Sequence, residues 1–288
     1  MELAITRPRI KALAKGVKRR WRDEPRLRAA AAQADAFLIS FPKSGRTWLR
    51  FLLSSYYAEA AGLGFQPDLT TTFRVLPNFD FDPVRGLGAS VETAGGGRYP
   101  RVLVSHLPFS ERIFLDRPIA FLVRDPRDVL VSAYFHATRH KHVFAGGIDE
   151  FLEDRTYGIQ ALCRFLNGWA DALQERRHLV LSYEQLQASP ELEVERLLRF
   201  LGTAPDPEVV RRAIAASRFD RMRTLERVGG IPGHDYDRQD DASLRMRNGE
   251  ARSFGKWLNA DQAARVLERC RADLSSEAWA LLGATGIH

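Results

Sequence analysis

Lys43, Ser44, Gly45 and Arg46 stand in four consecutive places between an apolar run and a helical pattern, an arrangement able to hold an anion. The run from Phe37 to Phe41 reads as a buried parallel strand. It breaks at Pro42 and re-emerges at Thr47, with Trp48, Leu49, Phe51, Leu52 and Leu53 at helical spacing. A strand, a tight cationic turn and a helix N-terminus bring backbone N–H groups to one point, where the helix dipole adds partial positive charge. Lys43 and Arg46 add full charges, so a phosphate-like ligand is expected. A triphosphate loop needs Gly, four residues, then Gly-Lys-Ser/Thr. Here Gly45-Arg46-Thr47 fill the last three places, but Ser40 stands at the first glycine position and Arg46 at the lysine. Lys43 lies ahead of the glycine instead. The shorter turn suits one 5′-phosphate, with Lys43 beside whatever is attached to it; the plainer reading is a strand–helix turn with surface charges.

Three further segments carry groups of the same kind. Ile119 to Val123 reads as a second buried strand, followed by Arg124 and by a helix that Pro126 opens and that carries Ser132 two turns in. Arg124 thus falls at a strand's carboxyl end, where open α/β sheets bind ligands. The plainer alternative is a salt-bridged Arg-Asp-Pro-Arg-Asp turn. Arg101 to Ser105 reads as another strand, ending in His106 and stopped by Pro108. A histidine at that edge is placed to take a proton from a hydroxyl, because its ordinary pKa lies near neutrality. In Leu244-Arg-Met-Arg-Asn-Gly249, Arg247 can meet a phosphate in two-pronged fashion and Gly249 lets N–H groups approach it.

Together these segments resemble the sulfotransferases that use 3′-phosphoadenosine 5′-phosphosulfate (PAPS), of the soluble, cytosolic type. Pro42 to Trp48 is similar to their 5′-phosphosulfate loop, so the resemblance gives Lys43, Ser44, Gly45, Arg46, Thr47 and Trp48 to the nucleotide. It gives Arg124 and Ser132 to the 3′-phosphate, with Met246, Arg247, Asn248 and Gly249 closing on it. His106 matches the general base of a Thr-His-Leu-Pro element. The strand-then-Tyr-Glu element is matched by Leu179 to Leu186, and the adenine-side segment by Ser217 to Met222, so Trp48, Tyr183 and Phe219 would border the adenine beside Ser217. The sequence departs from the pattern at Asn248 and Val104, where the family carries lysines, and in a longer interval between Gly249 and Trp257. The resemblance implies transfer of a sulfuryl group from PAPS to an acceptor hydroxyl, with PAP as product, His106 and Lys43 as the catalytic pair, and no metal. A P-loop phosphotransferase (kinase) is the alternative enzyme, and a non-catalytic nucleotide-binding protein the alternative outside enzymes.

The elements that must hold these groups follow from patterning. Strand signals near 37–41, 101–105, 119–123 and 178–182 alternate with amphipathic stretches at 159–176, 189–201, 205–216 and 260–271. That alternation predicts a P-loop-like three-layer α/β fold, a mostly parallel sheet flanked by helices. The intervals 62–100 and 225–255 are long and poor in regular signals, as binding walls or lids are. With 288 residues and no linker, the chain reads as a basic helical extension over 1–34 and one sulfotransferase domain over 35–288. The net charge of +7 is gathered partly in that extension, from Arg7 to Arg22, interleaved with Ile10, Leu13, Val17 and Trp21. Packing on the domain is its first reading, peripheral contact with anionic lipid the second and nucleic acid the last, since no recognition fold appears. Two cysteines without metal-ligand spacing, no signal peptide and no membrane-length apolar run point to the cytoplasm. Sugar, lipid, phenol and other small-molecule hydroxyls all stay open as acceptors.

Overall fold

The computed structural model describes residues 23–89, 99–234, 236–240, 243–246 and 249–287. Four short apolar runs form one parallel sheet: β1 (Ala36–Ser40), β2 (Val102–Ser105), β3 (Ile119–Val123) and β4 (His178–Ser182), in the order β2-β1-β3-β4. The expected strands are all present, shifted by no more than one residue. β1 pairs on both sides, with Phe37 opposite Leu103 and Ile119. Because the chain winds from β1 out to β2 and then back across to β3, the loops at the carboxyl ends part around β1 and leave a crevice. The outer edge of β2 is covered: Phe79 N–H donates to the Val104 carbonyl at 2.8 Å, and Val104 N–H to the Pro77 carbonyl at 3.0 Å.

The two-residue period of each strand divides its side chains between two cores. Ala36, Leu38, Val104 and Leu122 face α1 (Arg46–Ala60), which answers with Leu49, Leu52, Leu53 and Tyr56. Burying each such leucine contributes about 1.5–3 kcal/mol as an upper figure. On the other face Phe37, Ile39, Leu103 and Phe121 meet α2 (Pro126–Phe135) and α3 (Ile159–Gln174) through Val129, Leu130, Leu166 and Trp169. Short α4 (Tyr183–Ala188) leaves β4 directly, its first turn capped by the Ser182 hydroxyl, which accepts from Gln185 N–H at 3.1 Å.

The expected helices appear as α3, α5 (Pro190–Phe200), α6 (Pro207–Ala216) and α8 (Ala260–Asp273). Short α4 and two longer helices were not expected. α7 (Phe219–Gly229) begins in the Ser217–Met222 segment and runs into the 225–255 interval, and α9 (Ser276–Gly283) ends the fold. α7 buries only Met222 and Glu226, too few apolar positions to give a period. After α2 the helix widens into a π-turn over His136–His140, closed by Lys141 N–H on the His136 carbonyl at 3.0 Å. At the amino end, a helix over residues 23–32 sends Leu27 and Ala31 into the α2–α3 core. The basic residues from Arg7 to Arg22 lie outside the described residues.

Trp169 ties this packing to the loops. Its ring is fully buried, 4.8 Å from Phe114 and 5.2 Å from Phe109, and its indole N–H donates to the Leu107 carbonyl at 3.1 Å. Trp169→Ala is expected to lower stability by about 3–5 kcal/mol in denaturant unfolding, the range for emptying a buried tryptophan site. A loss below about 1 kcal/mol would show that the ring does not hold this face of the sheet.

Candidate active site

The loop from β1 to α1 makes its turn with two left-handed residues. Lys43 has φ 77° and Gly45 φ 97°. Gly45 is the N-cap of α1, and a Cβ there would lie 2.4 Å from Cδ2 of Tyr183, so both backbone angle and space require glycine. The turn brings the N-terminus of α1 to a cavity of about 1030 Å³, which Lys43, Gly45, Arg46, Thr47 and Trp48 line. Ser44 is buried at 2 % exposure and its side chain does not line the cavity.

One end of the cavity is aromatic. Trp48 and Tyr183 stand edge to face with ring centroids 5.7 Å apart. The Trp48 N–H donates to the Ser217 carbonyl at 3.0 Å, while the Ser217 hydroxyl is buried and donates to Ile214 O at 3.0 Å. Ser217 thus orients Trp48 from behind the wall rather than facing the ligand space. Phe219 closes the slot against Gly249, where a Cβ would sit 2.2 Å from its Cδ2. The Tyr183 hydroxyl donates to the Gly249 carbonyl at 2.9 Å, binding the C-terminal segment to the slot. Met246 also lines the cavity, whereas Arg247 and Asn248 lie outside the described residues.

Beside the aromatic end, Arg124 and Ser132 both reach the cavity from β3 and α2. The salt-bridged turn and the ligand-facing arginine prove compatible. Arg127 pairs with Asp125 at 2.6 Å, and Asp125 also caps α2. Arg124 lies 3.4 Å from Asp128 and 4.2 Å above the Tyr183 ring, and its Nε has no partner among the described residues. Asp128 was not singled out from sequence. It accepts from Arg252 N–H at 2.6 Å and Ser253 Oγ at 3.4 Å, fastening the segment after Gly249 to α2. Burial raises the Asp128 pKa and the Arg124 charge opposes that rise.

His106 follows β2 into the same cavity. Its Nδ1 lies 2.6 Å from the Ser40 carbonyl, an acceptor only, so Nδ1 carries the proton and donates. Nε2 is therefore the free base. Burial, and then the Arg46 charge, push the His106 pKa well below the ordinary histidine range, with only the Ser40 bond acting in the other direction. The ring is neutral at physiological pH, where sequence placed its titration near neutrality.

Sequence reasoning missed a second group of cavity residues: Arg50, Arg85, His136, Lys141, His234 and Arg245. Arg50 and Arg46 stand one turn apart on α1 with no acidic residue in its first turn. That was the available signal, since a surface helix ordinarily pairs such charges.

This geometry agrees with the comparisons. A family model described as "Sulfotransferase domain" matches residues 33–278, and the chain belongs to that family. Among curated proteins it is similar to 3-alpha-hydroxysteroid sulfotransferase of Cavia porcellus, 28 % identical over 236 residues, covering 78 % of this chain and 77 % of that one. Sulfotransferase 2A1 of Homo sapiens is 25 % identical over 257 residues, covering 84 % and 86 %. Among solved structures, retinol dehydratase in a complex with retinol and PAP superposes with TM-score 0.63 at 19 % identity, covering 85 % of this chain and 82 % of that one. Mouse sulfotransferase SULT7A1 complexed with PAP gives TM-score 0.59 at 19 % identity, over 88 % and 90 %. These structural likenesses establish the fold, and the family match removes the kinase alternative.

Gly45→Ala tests the cradle. The new methyl group meets the Tyr183 ring while the backbone is held at an angle that alanine avoids. PAP affinity measured by calorimetry should fall at least about tenfold, and unchanged affinity would mean that the loop does not hold the nucleotide.

Proposed function

We propose that this sulfotransferase moves the sulfuryl group of PAPS onto an acceptor hydroxyl, with His106 as general base and Lys43 at the leaving oxygen. The observation that carries the reading is the His106–Ser40 bond, which leaves a neutral Nε2 as base on the sheet edge that also carries the Lys43 loop. The residues fit the nucleotide. Gly45 and the α1 N-terminus suit a 5′-phosphate, the Trp48–Tyr183–Phe219 slot suits a purine, and Arg124 with its unpartnered Nε suits a 3′-phosphate. Bound PAPS supplies an activated sulfuryl group whose leaving group is the 5′-phosphate.

His106 Nε2 takes the acceptor proton as the acceptor oxygen bonds to sulfur and the bond from sulfur to the bridging oxygen breaks. The departing electron pair stays on the 5′-phosphate, where Lys43, Thr47 and the loop N–H groups offset the added charge. Arg124 and Ser132 hold the nucleotide by its far end, so that binding energy remote from sulfur fixes the line of attack. The products are PAP, a sulfate ester and a protonated His106.

Residues 1–34 are read as a basic extension of the domain, working in the cytoplasm, with peripheral lipid contact as the further reading for its basic face. No helix among the described residues is long and apolar enough to cross a membrane. The relatives' names include a hydroxysteroid, and a structural neighbour holds retinol; both are small hydroxyl compounds. A small hydroxyl-bearing acceptor is the corresponding reading for this chain.

Ligand preference, substitutions and a pH profile test the assignment. PAP should bind at least about tenfold more tightly than adenosine 5′-phosphate, because an arginine–phosphate contact contributes on the order of 2–4 kcal/mol. Arg124→Ala should erase most of that preference, and equal affinities in the unaltered protein would refute the 3′-phosphate site. His106→Asn should abolish transfer to an aliphatic alcohol while leaving PAP affinity near that of the unaltered protein. For pH, only the neutral imidazole accepts a proton, and a lowered pKa keeps it neutral through the ordinary histidine range. The kcat/KM for PAPS, which reports the free enzyme, should therefore stay flat through pH 6–8, the ordinary histidine range. It should fall only in more acid solution, and a half-maximal point at the ordinary histidine value would contradict the environment assigned to His106.

A further inference from the structure

The cavity is larger than its aromatic, nucleotide-side end, and a second part of its lining is cationic. Arg50 is 3 % exposed; it stacks on Phe73 at 4.4 Å and donates to Asn78 Oδ1 at 2.6 Å. Its Nε and that of Arg245 are buried without partners among the described residues. Arg245 donates to His234 Nε2 at 2.6 Å, a contact between two nitrogen groups that gives it no counter-charge. Arg85 lies against Gly233 and is held by Asp82 at 2.6 Å. Lys141 and His136 come from the π-turn, and the unpartnered His136 Nδ1 is buried there. The carboxylates near this wall are Asp80, Asp82 and Glu226. Asp82 is taken by Arg85, and Glu226 receives the Tyr236 hydroxyl and the N–H groups of Arg245 and Met246. That leaves Asp80, whose charge acts on Arg46 and Arg50 and whose Oδ1 accepts from Asp82 N–H at 3.0 Å.

We propose that this wall is the acceptor subsite and that the acceptor is an alcohol already carrying an oxyanion, a phosphate or carboxylate group, which Arg50 and Arg245 grip while its hydroxyl faces His106. The proposal rests on the sulfotransferase reading above. Arg46, Arg50, Arg245 and His106 line the same cavity, so one molecule can present its anion to the arginines and its hydroxyl to His106. The alternative occupant, an uncharged apolar alcohol, could pack on the apolar lining of the cavity but would leave the buried Nε donors of Arg50 and Arg245 unpaired and their charges uncompensated. An oxyanion instead satisfies the orphaned Nε donors with charge-assisted, two-pronged hydrogen bonds. Burial lowers Arg50 to about 9 and Arg245 to about 10, and both remain protonated at neutral pH to meet such a group.

The experiment uses the whole chain saturated with PAP, so that the nucleotide's own phosphate sites are filled. Glycerol 3-phosphate, inorganic phosphate, glycerate and neutral glycerol are titrated by calorimetry at low and high salt. The charged probes should bind and glycerol should not, with affinity falling as salt rises. Phosphate against glycerate tells which oxyanion the wall prefers. Arg245→Gln should weaken the charged probes at least about tenfold with PAP affinity unchanged; Arg50→Lys, which keeps the charge and loses the fork, should weaken them too. A turnover screen with labelled PAPS should favour phosphorylated or carboxylated alcohols over their neutral twins. Failure of the charged probes to bind, binding indifferent to both substitutions, or faster turnover of the neutral twins each overturns the proposal while leaving the sulfotransferase reading intact. Failure of PAP itself to bind overturns both.

Discussion

The bond from His106 to the carbonyl of Ser40 rests on the register of β1. Parallel pairing sets Ile39 opposite Ser105 and Ser40 opposite Leu122, so β2 ends one residue short of β1 and β1 one residue short of β3. One residue beyond β2, the imidazole then reaches back across to the last carbonyl of β1. A slip of one residue would turn Phe37 and Ile39 into the α1 core and carry Ser40 off the edge. The His106 tautomer therefore depends on the same apolar alternation that sorts the two cores. Trp169 reinforces it from the α3 side, through its hydrogen bond to the carbonyl next to His106.

The loop motifs were legible because their partners are sequence neighbours. Lys43 to Trp48 form their own turn and helix start, and Arg124 to Ser132 form theirs. Each signal, a strand ending in a Gly- or Pro-marked turn before a helical period, survives in one dimension. The cationic wall was not legible. Arg50, Arg85, His136, His234 and Arg245 come from separate segments, and each alone looks like a solvated charge or a structural histidine. Ser44 and Ser217 show the converse limit. They occupy motif positions, yet one is buried beneath the loop and the other works through its carbonyl. The His106 environment was also hidden, since desolvation belongs to the folded pocket and no local pattern encodes it.

Charge in this cavity is concentrated where water is scarce. Burial costs each arginine solvation, and mutual repulsion adds to that cost; both act in lowering Arg46. Such an arrangement is tolerable only because the cores on either side of the sheet hold α1 in place. Leu49, Leu52 and Leu53 fix the helix whose first turns carry Arg46 and Arg50. The stored cost becomes affinity when an anion arrives, because the donors are already stripped of water and oriented. The same cations act on His106, so one distribution of charge favours an anion in the cavity and keeps the imidazole unprotonated.

Asp128 extends this preorganisation to the end of the chain. It is nearly buried, and it faces Arg124, the Arg252 N–H and the Ser253 hydroxyl at once. Arg124 also donates to the Glu250 carbonyl at 3.2 Å, and Tyr183 holds the Gly249 carbonyl from below. The segment leaving Gly249 is thus clamped from α2 and α4, two elements that emerge from neighbouring strands. Arg124 is oriented by the bonds that seat this segment, so its side chain is already ordered where it meets the cavity. The Arg-Asp-Pro-Arg-Asp turn is therefore structural and cavity-facing through one set of contacts. Its second aspartate is the joint between them: removing that carboxylate would release Arg124 from its neighbour and free the residues after Gly249 together.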